Sequence, residues 1–184
     1  GPHRLAAPTR PAWFFEKEKY GGILVDIGSH QLEQILQFSG SEDAELVSSR
    51  VGNLYHPEYP GLEDFGDACF TASNGIPCYF CLDWFTPDGL GTWGDGRIFI
   101  VGTKGYIELR KYIDVAASKE GDHVILVNEK GEQHFRVGGK VGFPYFGRLI
   151  RDVLDRTETA MKQEHTFRAI ELAIEAQTKA VRIR

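Results

Sequence analysis

Between Asp64 and Val137 one pattern occurs three times: an apolar-rich run, a short turn signal, and a second apolar-rich run. "DFGDACFTAS" and "IPCYFCLDWFT" flank Asn74-Gly75, the strongest short-range signal for a β-hairpin. "RIFIVG" and "GYIELRKYIDV" flank Thr103-Lys104, and "HVILVNE" and "EQHFRV" flank Lys130-Gly131. Three successive hairpins commit the middle of the chain to antiparallel sheet. "AELVSSRVGNLY" adds a strand before them. Helical patterns lie outside, at about Gly22 to Phe38 (stopped by Ser39-Gly40), Tyr145 to Arg156 and Glu164 to Arg182. This order predicts an α+β fold: a large, open, predominantly antiparallel β-sheet with helices on one face. "FTASNGIPCYFCLDWF" is apolar at both parities, as in a strand covered on both sides. The helices suffice for one face only. The other face is expected to serve oligomerisation, in a homodimer or higher oligomer.

The 184 residues read as a single domain, 1–184. Residues 1–20, with three prolines, form an extended, irregular lead-in. A chain of this size buries about 70% of its unfolded surface, enough for a real core. The balance of 21 Lys and Arg against 26 Asp and Glu, with no basic run, argues against nucleic acid as a partner. No apolar run reaches the roughly 18 residues of a membrane span, and the N-terminus does not read as a signal peptide. The first residue is Gly1 rather than Met, as in a processed or partial chain. Cys78 and Cys81 form a C-x-x-C, but on a strand they point to opposite faces, and no second ligand pair exists. With Cys69 they read as buried structural thiols in a reducing compartment, hence a cytoplasmic location.

The helix "GGILVDIGSHQLEQILQFSG" places polar groups in an apolar sequence. At about 100° per residue, Gly22, Asp26, His30, Glu33 and Gln37 fall within an arc of roughly 80°. The apolar remainder implies a largely buried helix whose narrow polar stripe faces something. Gly28, on the opposite side, admits a close neighbour. Gly22, at the helix start, leaves space for a ligand and free backbone N–H groups. Asp26 and His30, at i and i+4, can meet. Three roles fit them: a buried polar pair satisfying its own hydrogen bonds, part of a metal site that needs further ligands, or a carboxylate that orients an acid–base imidazole.

His3, Arg4, Thr9, Arg10 and Trp13 mix cationic, hydroxyl and aromatic groups, as in either a polar-substrate site or a solvated tail. His56, His123, His134 and His165 have no partner in view and default to the surface. Gly89, Gly91 and Gly94 match G-x-G-x-x-G. A dinucleotide fingerprint must open a helix, however, and the β-type run "DGRIFIVG" follows here.

"GGILVDIGSHQLEQIL" resembles the G-G-(G)-x-x-x-D-x-G-x-H-x-x-D/E signature of the Gfo/Idh/MocA family of NAD(P)-dependent oxidoreductases. "RIFIVGTKGYIEL" and "TFRAIELAIEAQTKA" are similar to that family's G-x-x-G strand pair and C-terminal helix. The resemblance implies the second domain alone, without the Rossmann domain that holds NAD or NADP and supplies an E-K-P lysine. In the family it is the second domain, the one matched here, that contributes substrate contacts and a sheet face for oligomerisation. By direct match, Asp26 and His30 face nicotinamide and substrate, and His30 is the acid–base group. Glu33 stands where Asp is usual. Gly22 is the candidate cofactor-binding residue, and His3, Arg4, Arg10, Trp13 and Glu33 are candidate substrate contacts. The implied substrate is small, polar and carbohydrate-like: a sugar, polyol, inositol or related hydroxyl or keto compound. The isolated chain is expected to bind no cofactor and to be inactive. From a different class, the alternative is a stand-alone, non-catalytic binding or dimerisation module.

Overall fold

The computed structural model describes Leu5 and residues 10–92, 94–115 and 117–184. Within them the chain is α+β, its strands predominantly antiparallel, as the hairpin pattern predicts. The strands are divided between two four-stranded sheets. The chain also falls into two compact units, one centred on Thr86–Pro144 and the other made of Pro8–Phe85 with Tyr145–Arg184. The sequence reading drew a single domain.

The second unit holds the core. Its sheet contains β1 (Ala44–Gly52), β2 (Phe65–Ala72), β3 (Pro77–Asp83) and β8 (Val181–Ile183), in the order β3-β2-β1-β8. β2 and β3 form the hairpin expected around Asn74-Gly75, with Phe70 opposite Cys78. β8 runs parallel to β1, pairing Arg50 with Val181 and Gly52 with Ile183. It replaces the end of the final helix expected from sequence. α5 (Gln163–Lys179) stops because Ala180 turns extended, and the β-branched Val181 and Ile183 extend the sheet.

The first predicted helix is interrupted. α2 (Ile23–Asp26) and α3 (Gly28–Ser39) are separated at Ile27. Gly28 faces Leu82 and Phe80 on β3, and a Cβ there would lie 3.4 Å from their side chains, an ordinary contact, so the packing does not by itself require a glycine. Ile23, Leu24, Leu32 and Leu36 from α2 and α3 meet Leu172, Ala173 and Ala176 from α5 over Phe70, Phe80 and Leu82. This core lies on one face of the sheet. Within this chain the outer face of β3 leaves Tyr79 and Cys81 exposed. Cys69 and Cys78 are half-buried, and all three thiols are free.

The lead-in is not wholly extended either. Ala12–Phe15 form a 3-10 turn and Lys17–Tyr20 a single α-helical turn, α1. α4 (Pro144–Asp155) leaves Phe146, Ile150, Val153 and Leu154 exposed and buries only Asp152. Asp152 ties off the turn beyond α4. Its oxygens accept Thr157 Oγ1 at 2.6 Å, Thr159 Oγ1 at 2.8 Å and the Ala160 N–H at 2.7 Å. These bonds, that from Thr157 first, hold its carboxyl far below the ordinary range. A depressed folded-state value adds stability above the unfolded pKa, and the gain is lost as pH falls through the folded value. Asp152→Ala is therefore expected to lower the urea midpoint at neutral pH. The gap from wild type should close as pH drops below the ordinary aspartate range. A gap that stays constant with pH would remove this role.

In the other unit, β4 (Arg97–Gly102), β5 (Gly105–Arg110), β6 (His123–Asn128) and β7 (Gly131–Arg136) form an antiparallel meander. Its hairpins turn at Thr103-Lys104 and at Glu129-Lys130, with Gly131 already in the strand. No helix of the described residues is long and apolar enough to cross a membrane.

Candidate active site

Two glycines with positive φ, Gly21 at 87° and Gly22 at 96°, carry the backbone from α1 into α2. Space at Gly22 is not left for a ligand. A Cβ there would fall 2.3 Å from the Gln177 amide carbon. The amides at the start of α2 are likewise engaged: the Ile23 N–H donates to Glu63 Oε2 at 3.1 Å and the Leu24 N–H to Gln177 Oε1 at 3.0 Å. Gln177 Nε2 donates to Glu63 Oε2 at 2.9 Å, and Lys17 Nζ donates to Glu63 Oε1 at 2.5 Å. Glu63 is fully buried and closes the positive end of α2. Its own N–H donates to Tyr20 Oη at 2.8 Å. Burial pushes the Tyr20 phenol well above its ordinary value. Sequence reasoning missed Glu63, Tyr20 and Gln177. The only signal was a carboxylate pair, Glu63-Asp64, set directly before an apolar strand.

Asp26 is half-buried and His30 is exposed, which sets aside, within this chain, the alternative of a buried pair. The break at Ile27 intervenes, and the two side chains interact through charge. Burial raises the Asp26 carboxyl, while Arg10 and then His30 draw it down. Arg10 is the lead-in residue brought to this pair. Its guanidinium lies 4.3 Å from the Phe14 ring centroid and 4.9 Å from that of Trp84, a cation–π clamp. Burial lowers the Arg10 value and Asp26 opposes that shift. Trp13 touches Phe14 at 6.2 Å between ring centroids and stays exposed. Glu33 turns elsewhere: its Oε1 lies 3.2 Å from His165 Nε2 on α5, so that helix, rather than open solvent, engages the carboxylate. His3, Arg4 and Thr9 lie outside the described residues.

The other histidines are also partnered: His134 lies at the surface as expected, His56 and His165 are half-buried, and only His123 is fully enclosed. His56 Nδ1 meets Asp64 Oδ2 at 2.9 Å, and the fully buried His123 meets His134 at 2.9 Å. Among the described residues no group of three or more His, Cys, Asp or Glu is arranged to hold a metal. The Gly89–Gly94 segment leads into β4, so the helix N-terminus that a dinucleotide loop requires does not follow it.

Asp26 thus lies within charge range of both the exposed His30 imidazole and the aromatic-clamped Arg10 guanidinium. Residues 2–108 match the GFO/IDH/MocA C-terminal domain, and the chain belongs to that family. No curated protein matches it. Among solved structures, a protein from Erwinia carotovora atroseptica SCRI1043 classed as an oxidoreductase is 51% identical, with a TM-score of 0.94 over 99% of this chain and 54% of that one. An aldose-aldose oxidoreductase from Caulobacter crescentus, complexed with glycerol, is 15% identical, with a TM-score of 0.69 over 96% of this chain and 50% of that one. A 3-ketoreductase from Actinomadura kijaniata, in complex with NADP and TDP-benzene, is 16% identical, with a TM-score of 0.63 over 95% of this chain and 51% of that one. The latter two likenesses concern the fold. The chain spans about half the length of these structures.

Proposed function

We propose that this chain is the substrate side of an NAD- or NADP-dependent oxidoreductase acting on a carbohydrate-like hydroxyl or keto compound. The observation that carries the reading is the open His30 imidazole beside Asp26, itself in charge contact with the clamped Arg10. Two observations support placing the dinucleotide site elsewhere in the intact enzyme: the glycine loop leads into a strand, and the first amides of α2 are taken by Glu63 and Gln177. The contribution assigned here is therefore the proton. As the carbinol is oxidised, a His30 ring nitrogen accepts the hydroxyl proton, and in the reverse direction it returns it. Asp26 balances the charge gained by the ring, and Arg10 keeps Asp26 from standing uncompensated. The three free thiols support a reducing, cytoplasmic setting.

The intact enzyme tests this. With NAD or NADP and a panel of aldoses, inositols and polyols, reduction of the nicotinamide is the expected result. Because burial raises the Asp26 carboxyl, the acid limb it imposes on the rate should lie above the ordinary aspartate range. Asp26→Asn should lower turnover and abolish that limb. No turnover with any member of the panel, or an unaltered pH profile in Asp26→Asn, would overturn the reading.

The same reading includes self-association through a sheet face. On the meander, Phe99, Val101 and Tyr106 are exposed on one side of β4 and β5, an apolar surface of the kind that marks an interface. Obligate interfaces bury about 2,000 Å² or more in total. Light scattering should report a dimer or larger species at micromolar concentration, and Val101→Asp should shift it toward monomer. A monomeric wild-type protein would contradict this.

A further inference from the structure

The connection between β1 and β2 carries a second imidazole in a fixed setting. Asp64 is fully buried. Its Oδ1 accepts the Leu54 N–H at 2.7 Å, and its Oδ2 accepts the N–H groups of Tyr55 at 2.8 Å and His56 at 3.2 Å. Oδ2 also lies 2.9 Å from His56 Nδ1. A carboxylate only accepts, so a neutral His56 carries its proton on Nδ1, and Nε2 is left as a bare acceptor. No hydrogen bond reaches Nε2 among the described residues. Three backbone N–H groups already satisfy Asp64, so ordering of the loop does not require the ring. The His56 side chain keeps 18% of its surface open. Tyr55 stands edge-on to it at 5.6 Å and Phe85 lies parallel at 6.5 Å, and both are exposed.

Open aromatic surface beside one oriented acceptor suits a ligand with C–H faces and hydroxyl donors, the surface of a sugar ring or polyol. We propose that His56, positioned by Asp64 and flanked by Tyr55 and Phe85, accepts a hydrogen bond from a carbohydrate hydroxyl and forms a polyol subsite separate from His30. The subsite lies at the same end of the sheet as the Asp26–Arg10 site. Glu63, next to Asp64, binds the start of α2, and Trp84, next to Phe85, stacks with Arg10. It rests on the carbohydrate reading above and extends it: the substrate reaches beyond the reacting hydroxyl toward the β1–β2 connection.

The test is NMR of the nitrogen-15-labelled chain, following histidine ring nitrogens during titration with D-glucose, myo-inositol and cellobiose. His56 Nε2 is expected in the unprotonated range, with a saturable shift for at least one sugar. His56→Phe keeps the ring and removes the acceptor, and it should weaken binding about fivefold. Tyr55→Ala, which leaves Asp64 untouched, should also weaken it. A proton on Nε2, or unchanged affinity in both variants, would overturn the subsite. A response at His30 with none at His56 would overturn it while the proposed function stands. A response at His56 alone would support it and count against His30. Silence at both would end both.

Discussion

Replacing His30 by alanine in the intact enzyme is expected to lower kcat by about 10²–10⁴-fold, the usual contribution of a general acid–base group. The urea midpoint should scarcely move. His30 is exposed on the first turn of α3, and surface substitutions away from special contacts usually change stability by less than about 0.5 kcal/mol. The two readouts separate cleanly for that reason. A buried structural pair would make the opposite forecast, a cost of roughly 1–3 kcal/mol for the group left unpaired, with turnover per folded molecule intact. Denaturation and turnover should be measured on the same samples. Unchanged turnover in folded His30→Ala would end the assignment of the proton to this residue.

Glu63→Ala should have the largest effect on folding. Its carboxylate serves the Ile23 N–H, the Gln177 amide and Lys17 at once. Removal leaves the buried Ile23 N–H and the part-buried Gln177 amide without that acceptor. Lys17 keeps 42% of its side-chain surface exposed and regains water, which limits the loss. A cost of about 2–4 kcal/mol follows. Glu63→Gln, which keeps the acceptor and loses the charge, should fall between. Urea midpoints at constant m-value give the comparison, and a loss below about 0.5 kcal/mol for Glu63→Ala would mean that α2 is held by something else. Loss of the cap should also misplace Asp26, at the end of the same four-residue helix, so turnover should fall with stability.

What sequence made legible was local. Asn74-Gly75 and Thr103-Lys104 carry their own turn chemistry, and the hairpins around them formed where expected. Asp26 and His30 stood out because four positions separate them. Partners far apart in the chain left no such trace: His165 meets Glu33, and Gln177 meets Glu63, only after α5 has folded against α3 and α2. β8 was hidden for a related reason. Ala169, Leu172, Ala173 and Ala176 set a helical period that runs on visually through Ala180, so the extended Val181–Ile183 reads as more helix. The alternation of Val181 and Ile183 around Arg182 was the available sign. The break at Ile27, between α2 and α3, is likewise something no helical wheel displays.

The parallel pairing of β8 with β1 bears on how the chain is made. Antiparallel β1, β2 and β3 can pair soon after they leave the ribosome, since they follow one another directly in the chain. The other edge of β1 must wait until Arg50 can find Val181, after the meander, α4 and α5 have been synthesised. Throughout that interval a nascent chain offers an unpaired strand edge, the template on which strands of other chains add. Glu45 and Arg50 place opposite charges along β1, the kind of gatekeeping that slows such addition. Synthesis that stalls before β8 would therefore release a product prone to aggregate through β1.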